Sequence, residues 1–283
     1  MSRDPLAELS AELGALSAEY SGKCTWALTD LVSGAHISHD EDDVMPTASL
    51  IKVPVLTALY QAVDDGKLSI DQRTMYQEKH RGLGSGVLSM MSPGVEMSVR
   101  DAAVLMMTIS DNSATNMCVD LAGLDAVNAT MRALGLPETS LFRWLGDRSA
   151  GLDARKMSVS TASEMARLLE LIARREAVSP EGCDDMLRIM RRMRERAELS
   201  HLLPWNQMNT LPEPRQNWVA EKGGAFINGI RTGGAIFHSD RGFFSMAVFC
   251  EGGLRGPDNH SSDGNRLLER MGRAAWDALC AAP

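Results

Sequence analysis

The sequence lacks the features that mark metal centres and nucleic-acid binding. Its six histidines form no HExxH or other paired set, and its five cysteines are odd in number and without metal-ligand spacing. We therefore expect reduced, mostly buried thiols, with no metal and no cofactor. The net charge of −8 argues against a nucleic-acid partner, which would require a basic stripe.

Long apolar runs are also missing. The longest, around residues 102–109, is too short to span a bilayer, and no basic amphipathic segment points to a membrane surface. Charged side chains interrupt residues 1–20, so this segment does not read as a signal peptide. Together these absences predict a cytoplasmic protein without a membrane partner, and they leave the oligomeric state open.

What is present predicts an α+β fold. Patterns typical of strands occur near both ends of the 283-residue chain, whereas residues 50–200 read mostly as helices. Such an order implies one antiparallel sheet built from the two termini, with a helical lobe inserted into it and a cleft between the lobes. We expect a single domain over 1–283, with a sheet lobe of 1–47 and 215–283 and a helical lobe of 48–214.

One short motif carries chemistry. Ser49-Leu50-Ile51-Lys52 is the only Ser-x-x-Lys in the chain, and the run from Ala48 to Tyr60 has the apolar period of a buried helix. One helical turn would bring the Lys52 amine to the Ser49 hydroxyl, and a desolvated lysine can accept the proton of an attacking serine. Taken alone, such a pair is more often just two unrelated residues of a helix.

Further motifs give the pair a context. Gly84-Ser85-Gly86-Val87-Leu88 precedes the segment Leu105 to Asn116, which contains Ser110-Asp111-Asn112, and Leu121-Ala122-Gly123 follows. This arrangement resembles the helical lobe of class A β-lactamases and related penicillin-binding serine hydrolases, whose motif set is Ser-x-x-Lys, Ser-Asp-Asn and Lys-Thr-Gly. The resemblance covers nearly the whole chain, and it implies the β-lactamase fold.

The resemblance assigns four catalytic residues. Ser49 would be the acylated nucleophile, Lys52 its general base or proton relay, and Ser110 a shuttle for the proton that goes to the leaving group. Lys222 would supply positive charge beside Ser110. A surface lysine at a strand end is the alternative for Lys222.

The resemblance also assigns substrate-binding groups. Asn112 would donate to an amide of the substrate, and the backbone N–H of Ala225, after Gly224, would join that of Ser49 in an oxyanion hole. Arg231 matches a place where many family members bind the substrate carboxylate, with a plain strand arginine as the alternative. Asp111 is expected to hold its loop.

Several positions depart from the family pattern. Lys222-Gly223-Gly224 lacks the hydroxyl that the family uses for the substrate carboxylate, and Leu145 stands where hydrolytic members have the glutamate that activates water. Ser149 replaces the asparagine that helps position this water. Ser158 stands where a carboxylate closes the loop, and Asp147 reads as a surface carboxylate.

The sequence therefore predicts a serine hydrolase that acts through an acyl-enzyme at Ser49. Its expected partner is a small molecule, either a β-lactam or a related activated ester or amide, with slow release of the acyl group from penicillins. Two alternatives stay open: a protein or sensor that binds a β-lactam or peptide without turnover, and a biosynthetic esterase of the same fold.

Overall fold

The computed structural model describes residues 5–147, 151–193, 198–204, 217–254 and 262–281. Within these ranges the helices are α1 (Pro5–Ala18), α2 (Lys52–Asp64), α3 (Val99–Thr108), α4 (Asn112–Ala122), α5 (Leu124–Ala133), α6 (Ala162–Ala173), α7 (Pro180–Met190) and α8 (Asp263–Leu279). The strands are β1 (Lys23–Asp30), β2 (His36–His39), β3 (Met45–Pro46), β4 (Arg73–Met75), β5 (Glu96–Ser98), β6 (Ser140–Leu141), β7 (Ser158–Ser160), β8 (Trp218–Phe226), β9 (Ile230–His238) and β10 (Phe243–Glu251).

The main sheet combines strands from both ends of the chain. Its order is β2-β1-β10-β9-β8, and all of its neighbouring strands run antiparallel. The predicted α+β architecture, with a sheet from both termini and helices between them in sequence, is confirmed. Strand β8 forms one edge of this sheet, and it packs against the turn that carries Ser49.

Two apolar cores lie on opposite faces of the sheet. Alternate residues of β1 divide between them: Trp26 and Leu28 join the core made with α1 and α8, whereas Ala27 joins the core made with the helical lobe. Packing on both faces explains why the residues of β1 from Cys24 to Thr29 are all buried. In α1, Leu9, Leu13 and Leu16 are buried.

Polar residues begin most of the longer helices. A side-chain oxygen accepts a hydrogen bond from a backbone N–H of the first turn at each of these starts, which satisfies a donor that the helix itself leaves unpaired. The capping residues are Ser98 (α3), Asp111 (α4), Thr161 (α6), Ser179 (α7) and Ser262 (α8).

The structure differs from the sequence prediction in detail. Ser49 lies in a 3₁₀ turn, Ala48–Ile51, directly before α2 rather than in the first turn of an α-helix. Two small sheets, β3-β7-β6 and β4-β5, were not predicted. The lobe boundary expected between 214 and 215 lies outside the described residues, so this division stays a prediction. Within the described residues, no helix combines the length and apolarity that a membrane crossing requires.

Candidate active site

The turn that carries Ser49 is fixed from two sides. The Thr47 N–H donates to the Ser158 carbonyl of β7 (3.3 Å), and the Thr232 hydroxyl of β9 donates to the Thr47 carbonyl (2.8 Å). Ala48 adopts a φ of +45°, a left-handed conformation that is costly for a residue with a Cβ. The surrounding contacts thus hold Ser49, which is half-buried, in a strained turn at the start of α2.

Lys52 connects two of the sequence motifs. It is fully buried, and its Nζ donates to the Ser110 carbonyl (2.5 Å), to the Ser110 Oγ (2.9 Å) and to the Asn112 Oδ1 (2.8 Å). A buried ammonium needs such partners, because removing it from water without hydrogen bonds is very unfavourable. The Ser-x-x-Lys and Ser-Asp-Asn motifs are therefore parts of one site.

The loop before α4 holds Ser110 in position. Ser110 is buried and has a φ of +56°, again in the left-handed region. The neighbouring Asp111 carboxylate accepts from three backbone N–H groups, those of Ala114 (2.9 Å), Val87 (2.6 Å) and Leu88 (2.9 Å). Asp111 thus caps α4 and anchors the loop of residues 84–88, the structural role that the sequence suggested.

A glycine makes this anchoring possible. A Cβ at Gly86 would lie 2.2 Å from the Asp111 Cγ, and Gly86 has a φ of +106°. Asn112 extends the same contact: its Nδ2 donates to the Leu83 carbonyl (2.6 Å), and its N–H donates to the Ser85 carbonyl (3.0 Å). The Gly-Ser-Gly segment is therefore the wall against which the Ser-Asp-Asn loop packs.

Strand β8 brings its backbone directly onto the serine turn. A Cβ at Gly224 would lie 2.7 Å from the Ser49 nitrogen and 2.5 Å from the Thr232 Oγ1, so only glycine permits this approach. Ala225 follows on the strand and is exposed. Lys222 is 1% exposed, and its Nζ donates to the Gly223 carbonyl (2.6 Å).

Sequence reasoning missed Glu198. A Cβ at Gly223 would lie only 1.9 Å from the Glu198 Cδ and 2.0 Å from its Oε1, so the buried carboxyl group of Glu198 fills the space where other residues have a side chain. The position that lacks the family's hydroxyl is thus occupied by an acidic group from another segment. No local pattern around Glu198 signals this contact.

Arg231 lies opposite Ala225 in the β8–β9 register and is 7% exposed. Its Nη1 donates to the Phe226 carbonyl (3.1 Å) and the Ile230 carbonyl (2.7 Å), two groups at the end of the hairpin. Its Cγ also packs against Gly264, where a Cβ would lie 2.9 Å away. The described hydrogen bonds of Arg231 therefore brace the β8–β9 turn.

An asparagine holds the backbone of Leu145. The Asn116 Oδ1 accepts from the Leu145 N–H (2.8 Å), and the Asn116 Nδ2 donates to the Leu145 carbonyl (2.9 Å). The Leu145 side chain is 8% exposed and cannot exchange a proton. Sequence reasoning also missed Asn116, since its partner lies on a distant segment.

The remaining positions that depart from the family pattern, Asp147, Ser158 and Ser149, have different surroundings. Asp147 pairs with Arg143 within the loop (3.6 Å), which fits its interpretation as a surface carboxylate. Ser158 is buried, and its Oγ shares a hydrogen bond with the Thr47 Oγ1 (2.5 Å). It therefore supports the serine turn from β7. Ser149 lies outside the described residues.

Cys118 is close enough to Lys52 to respond to its charge, but it is not a competing nucleophile. Burial raises the pKa of the Cys118 thiol to about 12, although the positive charge of Lys52 acts in the opposite direction. A thiol with this pKa stays protonated near neutral pH and is a poor nucleophile. Across the described ranges, no group of three His, Cys, Asp or Glu residues could hold a metal ion.

Comparison with known proteins places this geometry in a family. A family model described as the beta-lactamase enzyme family matches residues 8–279. The crystal structure of a β-lactamase from Sphaerobacter thermophilus is 27% identical with a TM-score of 0.84, and PBP-A is 26% identical with a TM-score of 0.81; each alignment covers 98% of both chains.

Curated relatives match over shorter stretches. The β-lactamase SME-1 of Serratia marcescens is 26% identical over 160 residues, which is 56% of this chain but only 54% of the relative. A β-lactamase of Rhodobacter capsulatus is 26% identical over 195 residues, 68% of this chain and 65% of the relative. The chain thus spans about half to two thirds of the length of these relatives. Since the family model covers nearly all of the sequence, the resemblance seen in its motifs is confirmed: the chain belongs to the beta-lactamase enzyme family.

Proposed function

We propose that the chain is a serine hydrolase that forms an acyl-enzyme at Ser49, with β-lactams or related activated esters and amides as substrates. The observation that carries the proposal is the buried Lys52 amine, which bonds to both Ser110 and Asn112 at the start of the helix that follows Ser49. The names of the relatives, several of them β-lactamases, support this substrate class.

In the acylation step, the Ser49 oxygen attacks the substrate carbonyl carbon. Lys52 must first lose one ammonium proton to solvent, and with it one of the three hydrogen bonds that it donates; the neutral amine then accepts the Ser49 proton, which passes through the Ser110 hydroxyl to the leaving nitrogen or oxygen. The 2.9 Å contact between the Lys52 Nζ and the Ser110 Oγ supports this route. Cleavage of the carbonyl–leaving-group bond leaves an ester on Ser49.

The developing oxyanion would be bound by the N–H groups of Ser49 and Ala225. Support comes from Gly224, whose backbone packs against the Ser49 nitrogen so closely that a Cβ would not fit. Asn112 would bind an amide of the substrate. Lys222 and Arg231 would attract an anionic group of the substrate; Lys222 is buried two residues before Gly224, and Arg231 is the register partner of Ala225.

Release of the acyl group is the proposed slow step. A water molecule needs a base to attack the Ser49 ester, and Leu145 offers none on the loop that Asn116 holds. The proposal also includes a reducing, cytoplasmic setting, which the five free and buried cysteines support.

Intact-mass spectrometry with a chromogenic cephalosporin tests the proposal. We expect the wild-type protein and an exposed-serine control, Ser92→Ala, to gain one acyl mass on Ser49 and to release product slowly. The Ser49→Ala variant should fold and gain no mass, since the nucleophile is gone. A lasting adduct without any release identifies a trap or sensor, and an adduct that persists in Ser49→Ala would overturn the nucleophile assignment.

A further inference from the structure

Two of the five cysteines face each other across the main sheet. Cys24 of β1 and Cys250 of β10 are direct partners in the antiparallel register. Both thiols are free and buried, with exposures of 6% and 1%. Strand β1 comes from the beginning of the chain and β10 from its end, so the pair joins segments that are distant in sequence.

The hydrogen-bond pattern shows which kind of pair this is. The Leu31 N–H donates to the Phe243 carbonyl, which makes residues 31 and 243 a hydrogen-bonded pair of the β1–β10 ladder. Hydrogen-bonded and non-hydrogen-bonded pairs alternate along an antiparallel ladder, so Cys24 and Cys250 form a non-hydrogen-bonded pair. Side chains lie closest at such pairs, where the Cα atoms are about 4.5 Å apart.

This separation suits a disulfide. Bridged cysteines have Cα atoms roughly 4.4–6.8 Å apart, and the expected distance falls within that range. The two side chains also belong to the same apolar core, on one face of the sheet. A bridge could therefore close without movement of the backbone.

The two sulfurs differ in reactivity. A hydrogen bond from Cys250 holds the pKa of Cys24 below its ordinary value, although burial acts to raise it, and the Ser17 hydroxyl also donates to the Cys24 sulfur (3.8 Å). Burial raises the pKa of Cys250. Cys24 also lies beside Lys23 at the start of β1, so it is the thiol that an oxidant reaches first.

We propose that Cys24 and Cys250 are a reversible disulfide site, closed by small-molecule disulfides such as oxidised glutathione. The Cys24 thiolate attacks one sulfur of glutathione disulfide and releases one glutathione thiolate. The Cys250 sulfur, after loss of its proton, attacks the Cys24 sulfur of the mixed disulfide and releases the second glutathione. The protein dithiol is oxidised by two electrons, and one glutathione disulfide is reduced to two glutathione molecules.

The bridge would tie the first strand of the sheet to its last strand around the whole helical lobe. A cross-link that closes so long a loop restricts the unfolded chain most strongly. In a reducing compartment the pair stays a dithiol, and in an oxidising one the disulfide persists until it is reduced. On β9, the other neighbour of β10, the register partner of Cys250 is Arg231. Arg231 in turn lies opposite Ala225 of β8, so this cross-strand row reaches the proposed active site.

The test uses the full folded chain, purified under reducing conditions and then incubated with oxidised glutathione. We expect the intact mass to fall by about 2 Da, two of the five thiols to be lost, and a peptide linking residues 24 and 250 to appear after digestion. The thermal midpoint should rise by about 5–10 °C and return to its starting value when the bridge is reduced.

Variants separate this pair from the other thiols. Cys24→Ser and Cys250→Ser should each prevent the mass loss, whereas Cys183→Ser, which removes a buried thiol of α7, should leave it unchanged. The wild-type measurement does not depend on whether any of the variants folds. Retention of all five thiols under excess oxidant, or a product that stops at a glutathione adduct or a bridge between two chains, would overturn the proposal.

Discussion

Leu145 brings an apolar side chain to a loop backbone that is otherwise held firmly. Two hydrogen bonds from Asn116 fix its N–H and carbonyl, so a substitution of the side chain need not move the loop. We expect wild-type protein to show a stoichiometric burst with penicillins, followed by a slow steady state. Leu145→Glu should accelerate the slow phase, because general-base assistance is worth about 10²–10⁴-fold. Stopped-flow absorbance measures both phases.

The matched control for this prediction is Leu145→Gln, which has the size and polarity of glutamate but no basic group. It should leave the slow phase near the wild-type rate. If the wild-type protein instead hydrolyses penicillins rapidly and without a burst, Leu145 does not limit the release of the acyl group, and another residue supplies the base.

Gly223 and Glu198 share one space at the edge of β8. The Glu198 carboxyl group lies where the side chain of any other residue at position 223 would go, so Gly223→Thr forces one of the two groups to move. We expect this variant to lose about 1–3 kcal/mol of unfolding free energy, the usual effect of overpacking. Urea denaturation measures the loss.

The double variant Gly223→Thr with Glu198→Ala should recover most of that stability, because the shortened side chain vacates the space. The coupling energy between the two substitutions reports their contact, because the effects of substitutions at touching residues do not add. An unchanged stability of Gly223→Thr alone would show that Glu198 does not occupy the space beside Gly223.

At the scale of elements, two asparagines hold the segment that contains Leu145. Asn116 of α4 bonds to the N–H and the carbonyl of Leu145 (2.8 and 2.9 Å). Asn128 of α5 bonds in the same way to Leu141, with both distances 2.8 Å. Each Ala substitution should cost about 1–3 kcal/mol of stability, because backbone groups lose their partners.

Only Asn116 should matter for positioning at residue 145. In the Leu145→Glu background, Asn116→Ala should return the slow phase towards the wild-type rate, whereas Asn128→Ala should leave it fast. Single-turnover kinetics on the acylated protein separates these results from a general loss of folding. Equal slowing by both substitutions would mean that the segment responds as a whole.

Several elements could be predicted from the sequence because their signals are local. The cap at Thr161 is one, since Thr161-x-x-Glu164 has the pattern of a capping box and the Glu164 N–H donates to the Thr161 hydroxyl (3.1 Å). The Glu164 carboxylate, however, does not complete this capping box. It accepts instead from the Glu138 N–H (2.9 Å) and the Thr139 hydroxyl (2.6 Å), two groups of another segment. Local patterns do not contain such tertiary contacts.

The end of β8 shows the same limit. Glycines weaken strands, yet β8 continues through Gly223 and Gly224 to Phe226. Pairing with β9 and the close approach of Gly224 to the Ser49 turn hold it in place. Likewise, the Ser-x-x-Lys and Ser-Asp-Asn motifs could be found by inspection, whereas Glu198 and Asn116 act on partners that only the fold brings near.

At the scale of the whole molecule, one carboxylate ties together three helices of the lobe that carries Lys52. Asp185 of α7 accepts from the Tyr60 hydroxyl of α2 (2.5 Å), from Arg100 of α3 and from Arg188 (3.1 Å). Burial acts to raise the pKa of Asp185, but these hydrogen bonds and the positive charge of Arg100 outweigh it, so the pKa lies below its ordinary value. A lowered folded-state pKa adds stability above the ordinary carboxyl pKa, and this stability is lost as the pH falls through the folded-state value.

Removing this charge should therefore destabilise the protein in a pH-dependent way. We expect Asp185→Asn to lower the unfolding free energy at pH 7 by about 2 kcal/mol, since it leaves the half-exposed Arg100 beside a neutral group at a nearly buried position. The adjacent Asp184→Asn is the control: its ion pair with Arg175 is exposed, so it should cost at most about 1 kcal/mol. Urea unfolding between pH 7 and 3 should show the Asp185→Asn deficit shrinking below about pH 4, where the carboxyl group takes up its proton in the unfolded chain while the folded Asp185 stays ionised. A deficit that is constant with pH would mean that Asp185 stabilises the lobe by packing and not by its charge.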